Sequence, residues 1–530
     1  GNFGGSDWAY DAYFNRSDYR LRNRQLWPLK AKIDQFFEDQ FLGPQQGDVY
    51  GYPIYTPNVA GFFQAVTPAE YASFQGQINS PSSASTQNIN AQINNPSLFK
   101  LPAGDVGFAA LVQAGKQSWA NPTDPGVVNG DYWGLTGTQG AGERTNQAAA
   151  VEFLVPIFSK LTGDISGRYD HYKNQGGSSD AKATYRLGLE FRPVDSLLLR
   201  ANYATAFKAP DLAYVYAGQS GFFQGVIDYY RCATQDPANT IQNCRFNTVS
   251  TAGTRIGNDQ LESITAKSYG FGAVWSPSAN FNARVDYYNV NIDNEVSDIS
   301  TDQLLQTESA CRLGQLDITS PSCVDAITRI TRSNSPNQTL QSIHINPINI
   351  SKESVSGITA AAAYRWDTGS WGKFDFGLDY NVTLSHKSKT YPADPTLELL
   401  SEPFYSSEFR SIVSGDIGWE IGRWTASIHG IRYGRTPNYS AQIDTLGYGA
   451  PCDLNQLCPG RIGAYTVYNG SLKYEFSKDL SLSLIGNNLR NSEPPNDSTY
   501  TAYPFYNIFN YNGYQRSYWL ELNWRFGAGN

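Results

Sequence analysis

The chain lacks any apolar run long enough to cross a bilayer as a helix, for which about 18 or more residues are needed. Only 40% of its residues are hydrophobic, and mean hydropathy is −0.43. A membrane barrel escapes this exclusion, because its strands need only alternate residues apolar. Excess positive charge is missing too. Lys and Arg number 40 against 48 Asp and Glu, giving a formal net charge of −8 and a pI near 5.2. That speaks against nucleic acid as a partner, since phosphate contacts need a basic surface.

Histidine is scarce. His171, His344, His386 and His429 lie on separate segments, with no HExxH or similar spacing, so neither a metal site nor a metalloenzyme is expected. There is no GxSxG, no phosphate-cradling glycine loop before a helix and no lone reactive thiol. The reading is therefore no enzyme and no cofactor. Methionine is absent altogether, for which the sequence offers no physical account. The chain starts at Gly1 without an initiator methionine or signal peptide, which leads us to expect a mature or truncated product.

Cysteine is present but in one arrangement only. The six residues fall in three close pairs, Cys232/Cys244, Cys311/Cys323 and Cys452/Cys458. None is a CxxC, and none has a histidine at metal-ligand spacing. Local disulfides are the economical reading, with six free buried thiols as the alternative. Disulfides imply an oxidising compartment. Each would close a loop of about a dozen residues or fewer and contribute about 2–3 kcal/mol by the chain-entropy model.

What the chain has in quantity is two-residue periodicity. In its last stretch, YQRSYWLELNWRF, Tyr518, Leu520, Leu522, Trp524 and Phe526 alternate with Glu521, Asn523 and Arg525. That is a strand with one oily and one charged face. The pattern recurs. Leu161, Gly163, Ile165, Gly167 and Tyr169 oppose Thr162, Asp164, Ser166, Arg168 and Asp170. Tyr185, Leu187, Leu189 and Phe191 oppose Arg186, Gly188 and Glu190. Further strands are expected near residues 148, 197, 269, 281, 374, 410, 424, 464 and 480.

Less regular parts carry their own expectations. Residues 7–20 form a strand, and 21–86 a long loop with one helical piece, LKAKIDQFFEDQF. Residues 87–100 and 106–119 are strands around the turn LPAGD. Residues 296–340 are a loop with short helices over 302–312 and 324–332. One long, bulged strand covers 342–366.

Connection lengths turn these strands into an architecture. RPVDS, SPSAN, DTGSWGK, EIGR and FSKD are short, whereas the connections between them are mostly long and hold all three cysteine pairs. Outer-membrane barrels have short periplasmic turns and long outside loops. The aromatic content of 14% suits interface girdles. The fold class expected is all-β, a transmembrane antiparallel β-barrel with long extracellular loops bearing short helices. About sixteen strands are counted, which is also the size of a porin. Residues 1–147 are read as amino-terminal strands with a long loop, 148–526 as the main barrel, and 527–530 as a tail.

Four segments carry a family resemblance. LLLRANYATAFKAPDLAYVYAG resembles the segment of TonB-dependent outer-membrane receptors where a strand meets an F(R/K)AP turn. LESITAKSYGFGAVWSPSANFNARVDYYNVNIDNEV is similar to their next strand pair. IGNNLRNSEPP resembles the penultimate strand, and YWLELNWRF the closing one. The resemblance implies a barrel of about 22 strands, filled by an amino-terminal plug. It implies energy-coupled uptake of a scarce nutrient in the outer membrane of a Gram-negative envelope, with outer-membrane lipid, plug and TonB complex as partners. Against that pattern, no plug and no TonB-contact segment is found in this sequence, and strands are too few.

The binding candidates are the aromatics that follow the FKAP turn: Tyr214, Tyr216, Phe222, Phe223, Tyr229 and Tyr230. They would be braced if Cys232 pairs with Cys244. Exposed aromatics stack on sugars, flat chelates or peptides and anchor recognition surfaces, so a small-molecule, saccharide or peptide ligand is expected. The alternative is that they pack on neighbouring loops to close the vestibule. Two other functions fit the same sequence: a passive sixteen-stranded porin, and a soluble secreted all-β binding protein or adhesin.

Overall fold

In the computed structural model, residues 1–135, 137–238, 240–389, 395–401, 408–437, 461–496 and 503–527 are described. Sixteen long strands among them form one antiparallel sheet. They are β1 (Ala9–Pro28), β2 (Gln75–Leu101), β3 (Gly104–Asn121), β4 (Gly140–Phe158), β5 (Leu161–Asn174), β6 (Ser179–Val194), β7 (Leu197–Lys208) and β8 (Ile264–Ser278). The series continues with β9 (Phe281–Asp298), β10 (Pro347–Asp367), β11 (Lys373–Lys389), β12 (Ser411–Ile421), β13 (Trp424–Tyr433), β14 (Tyr465–Ser477), β15 (Leu480–Asn487) and β16 (Ser517–Trp524). Each pairs with the next in sequence, as from Ala9↔Asn94 between β1 and β2 to Leu480↔Trp524 between β15 and β16.

The connections sort by end. At one end lie 102–103, 159–160, 195–196, 279–280, 368–372, 422–423 and 478–479. Gly422, first residue of its two-residue turn, sits at a φ of +58°, a backbone that glycine takes without strain. The opposite end carries 29–74, 122–139, 209–263, 299–346 and the connections leading into β12, β14 and β16. Only 175–178, between β5 and β6, is short there.

Register shows what the two faces do. Phe108, Phe153, Ile165, Leu187, Tyr203 and Tyr269 form one continuous row across β3 to β8. On the other face run Asp164, Gly188, Asn202 and Gly270. Charges of that face pair with one another: Arg168 with Asp170 at 2.7 Å, Arg186 with Asp164 at 3.6 Å and Arg200 with Asp286 at 2.6 Å. The last pair reaches across the intervening β8, where Gly272 stands in register with both. A Cβ on Gly272 would collide with the Asp286 carboxylate. The apolar face is open to its surroundings: Leu187 on β6 is 47% and Leu520 on β16 72% exposed. An apolar face with no protein against it is what a strand facing hydrocarbon shows. Aromatics ring the short-turn end, with Trp275 against Phe281 at 5.5 Å and Trp366 against Phe374 at 6.0 Å. On the same face Tyr185 stands against Tyr203 at 5.9 Å, and Tyr203 is in register with Tyr269.

Three sequence expectations are corrected. The first long connection covers only 29–74, because β1 runs on to Pro28 and β2 begins at Gln75. The added lengths, such as INSPSSASTQN, are polar on both faces, so periodicity did not mark them as strand. The stretch 342–366 is two strands: Leu340–Ile345 belongs to another sheet, and β10 starts at Pro347. Proline has no N–H to donate and suits a strand's first residue. The second loop helix spans Pro321–Arg329, started by Pro321 and capped by the Ser320 hydroxyl. The helical piece near residue 30 is observed as Lys30–Phe37, continued by a π turn over Glu38–Leu42.

Candidate functional site

The connections 209–263 and 299–346 fold together into a lid. Ser220–Val226 pairs antiparallel with Val249–Arg255, which pairs in parallel with Leu340–Ile345, and that strand pairs with Ile330–Arg332. Both connections thus contribute to one four-stranded sheet. Helix Thr301–Arg312 begins at Ser300, whose hydroxyl accepts from the Gln303 amide. Such a cap satisfies one of the N–H groups that a helix start leaves free. The helices close over Val226, Ile299, Leu304, Leu305, Ile330 and Ile343, which form a small hydrophobic core.

Two disulfides pin this module, Cys232–Cys244 and Cys311–Cys323. Cys452 and Cys458 lie outside the described residues. At the centre of the lid, the Arg332 guanidinium donates to Asp228 at 2.9 and 3.0 Å and to Glu308 at 2.7 Å through Nε and Nη2. Arg312 also meets Glu308. The Asp228 and Glu308 side chains are fully buried and that of Arg332 is 4% exposed. Burial alone would lower the Arg332 pKa, but hydrogen bonds to Glu308 and Asp228 outweigh it and hold the pKa above its ordinary value. Charges buried this deeply persist only when paired and hydrogen-bonded.

The lid is fastened to the polar face of the wall. Buried Arg144 on β4 donates to the Pro210 carbonyl at 2.7 Å and to Gln117 on β3. The Tyr216 hydroxyl donates to the Gln175 carbonyl at 2.8 Å. Its ring lies where a Gly142 side chain would be, and the Gly218 amide donates to the Gln139 carbonyl at 2.6 Å. On the other side Arg255 pairs with Asp298 at 2.9 Å, and Asn258 donates to the Pro347 carbonyl at 3.0 Å. The segment 210–217 therefore bends over the polar face. A Gly142→Ala change is expected to push Tyr216 off β4 and raise hydrogen exchange at 212–218, with both lid disulfides still formed. Unchanged exchange would show that the ring does not hold this segment.

The six candidate aromatics are not gathered into one surface. Tyr214 faces the Arg255 guanidinium at 6.0 Å, and Tyr216 is the wall contact just described. Phe222 lies over Gly253 on the neighbouring lid strand. Tyr229 donates to Asp302 at 2.8 Å and accepts from Gln306. Tyr230 lies against Arg332 and Arg312, at 5.3 and 5.7 Å. Phe223 alone of the six stands open, at 80%. Sequence reasoning missed Arg332, Asp228 and Glu308, because partners 104 and 24 residues apart leave no local pattern. Among the described residues no group of three or more His, Cys, Asp or Glu is placed to hold a metal ion.

Comparison with known proteins places this geometry. The model of the family described as "TonB dependent receptor-like, beta-barrel" matches residues 1–489. None of the curated proteins compared with the chain matches it in sequence. Among solved structures, the chain is similar to the siderophore receptor PirA from Acinetobacter baumannii, with a TM-score of 0.55 and 13% identity. The match covers 97% of this chain and 60% of that one. It is similar to a mutant of the ferric enterobactin receptor PfeA from Pseudomonas aeruginosa, with a TM-score of 0.56 and 14% identity over 97% of this chain and 59% of that one. The pyoverdine outer membrane receptor FpvA from Pseudomonas aeruginosa PAO1, bound to pyoverdine, gives 0.51 and 11% over 85% and 54%. The chain thus spans 54–60% of the length of these structures.

Proposed function

The chain belongs to the TonB-dependent receptor β-barrel family, and from that premise we propose that it forms the wall and the ligand-recognising mouth of an energy-coupled uptake receptor in the outer membrane. The observation that carries this reading is the fused lid, fastened at Arg144 and Tyr216 to the polar face of the wall. The ligand approaches from the lid side, meets Phe223 and the lid surface, and passes along the charged wall. Tyr214, Tyr216, Phe222, Tyr229 and Tyr230 act in recognition by holding the lid in shape. A plug domain and the TonB complex provide gating and energy.

A ferric chelate is the first ligand to try, because the matched structures are titled receptors for siderophores, ferric enterobactin and pyoverdine. Cells relying on this protein are expected to grow on iron supplied as such a chelate and to stop when TonB is removed. Uptake that continues without TonB, together with size-limited sugar permeation in reconstituted liposomes, would replace this reading with the passive porin. Growth on a saccharide or peptide ligand in place of the chelates would keep the coupling and change the substrate.

A further inference from the structure

At the root of the lid a histidine is clasped by carboxylates. His386 on β11 meets Glu353 on β10 at 2.7 Å through Nε2 and Glu408 at 2.6 Å through Nδ1. A neutral imidazole has one N–H and one bare lone pair, so it cannot donate to two carboxylates at once. The geometry asks for a protonated ring. The His386 side chain is only 12% exposed, so little water screens these contacts. Glu295 on β9 comes within hydrogen-bonding reach of Glu353. Two carboxyl groups share such a bond only over a proton.

These groups join separate parts of the mouth. Glu295 lies three residues before Asp298, which Arg255 of the lid grips at 2.9 Å. Beside it, Asn294 donates to Glu262 of the lid's first connection at 3.1 Å. Glu408 belongs to the connection between β11 and β12, which folds back onto β11. The Thr383 hydroxyl donates to Glu408 at 2.8 Å, the His386 amide to Glu398 at 2.8 Å and the Leu399 amide to the His386 carbonyl at 2.7 Å. Lys387 stands near Glu398. Counted from the short-turn end, Glu295, Glu353 and His386 are the fourteenth or fifteenth residues of their strands. They therefore lie beyond the about 9–11 residues that cross a bilayer core.

We propose that Glu295, Glu353, His386 and Glu408 form a proton-held latch, which ties the root of the lid to the connection between β11 and β12 and lets go as the surroundings turn alkaline. The hydrogen bond to Glu353, together with burial, raises the Glu295 pKa to about 7. Burial works to lower the His386 pKa, but hydrogen bonds to Glu408 and Glu353 outweigh it and hold the pKa above its ordinary value. Both shifts are upward, so their stabilisation is complete below the ordinary values and is lost as pH rises through the raised ones. Burial would raise Glu353 and Glu398, but hydrogen bonds hold both low, so their share is lost only in acid below the ordinary carboxylate range. The latch is thus shut from about pH 5 to about pH 7 and opens above that.

What the latch does for a ligand rests on the receptor reading. The test uses no ligand, so the two fail separately. Hydrogen exchange of the detergent-solubilised protein is followed from about pH 6 to about pH 8, corrected for the intrinsic rate. Protection over 383–389 and 395–401 is expected to fall at least about ten-fold, one pKa unit being a factor of ten, while β4 and β5 stay protected. Glu295→Gln should move the fall to higher pH, because an amide donates to Glu353 with no proton to lose. Glu408→Gln should move it to lower pH, because His386 loses one of its carboxylate partners. A merely structural contact would weaken in both variants without these opposite displacements. Equal protection across the pH range overturns the latch, and so does a midpoint that fails to move in opposite directions. Heat-modifiable gel migration confirms folding. If a variant does not fold, nitrogen NMR of the histidine-labelled wild type takes its place: His386 should titrate above about 6.5, the ordinary value, and titration at or below it overturns the proposal.

Discussion

An Arg332→Ala protein is expected to keep its barrel and lose its lid. Removing the guanidinium strands Asp228 and Glu308, both fully buried, without their shared partner. Breaking a buried pair from one side costs about 3–5 kcal/mol. The lid core is small, so a loss of this size is enough to open it locally. Limited trypsin digestion should cut within 209–263 and 299–346, while heat-modifiable migration of the barrel stays as in wild type. Arg332→Lys is expected to recover only part of the protection, because one ammonium cannot serve two carboxylates with paired hydrogen bonds. Equal protease resistance of wild type and Arg332→Ala would mean that the disulfides and apolar core hold the lid alone.

The second large effect separates the two faces of the wall. Leu189 lies on the apolar face of β6, 48% exposed, beside Gly163 and Ala201. Leu189→Arg is expected to destabilise the barrel by about 2–4 kcal/mol, the cost of a cation near the bilayer midplane. Asn202→Arg on β7 faces the polar side and should change stability by no more than about 0.5 kcal/mol. Denaturant unfolding in lipid–detergent micelles, followed by tryptophan fluorescence, measures both. Equal costs would place both side chains in one environment and remove the case for a lipid-facing side.

How much of this was legible depends on where the periodicity is physically enforced. Strands β4 to β9 alternate because hydrocarbon and water act on opposite faces, so their sequences state their structure. The ends of β1 and β2 are wet on both sides, and there the signal vanishes. The sorting of connections by length was readable, since all but one of the turns at one end need only two residues and the exception, 368–372, needs five. The lid was only partly readable. Cysteine spacing marked the two bridges, but the pairing of Val249–Arg255 with Leu340–Ile345 joins residues some ninety apart, as the Thr254–His344 contact shows. The Arg332 cluster depends wholly on that pairing. Tyr230 reads as a recognition aromatic in sequence, and the same cluster explains its place: it lies against the guanidinium groups of Arg332 and Arg312.

The parallel pairing inside the lid also fixes how a signal could travel. Two connections that share hydrogen bonds cannot swing separately. A molecule pressing on one must tug at the roots of both, Lys208 and Ile264 on one side, Asp298 and Pro347 on the other. Four neighbouring staves would then feel a single touch, which turns a local contact at the rim into a deformation shared by four adjoining strands.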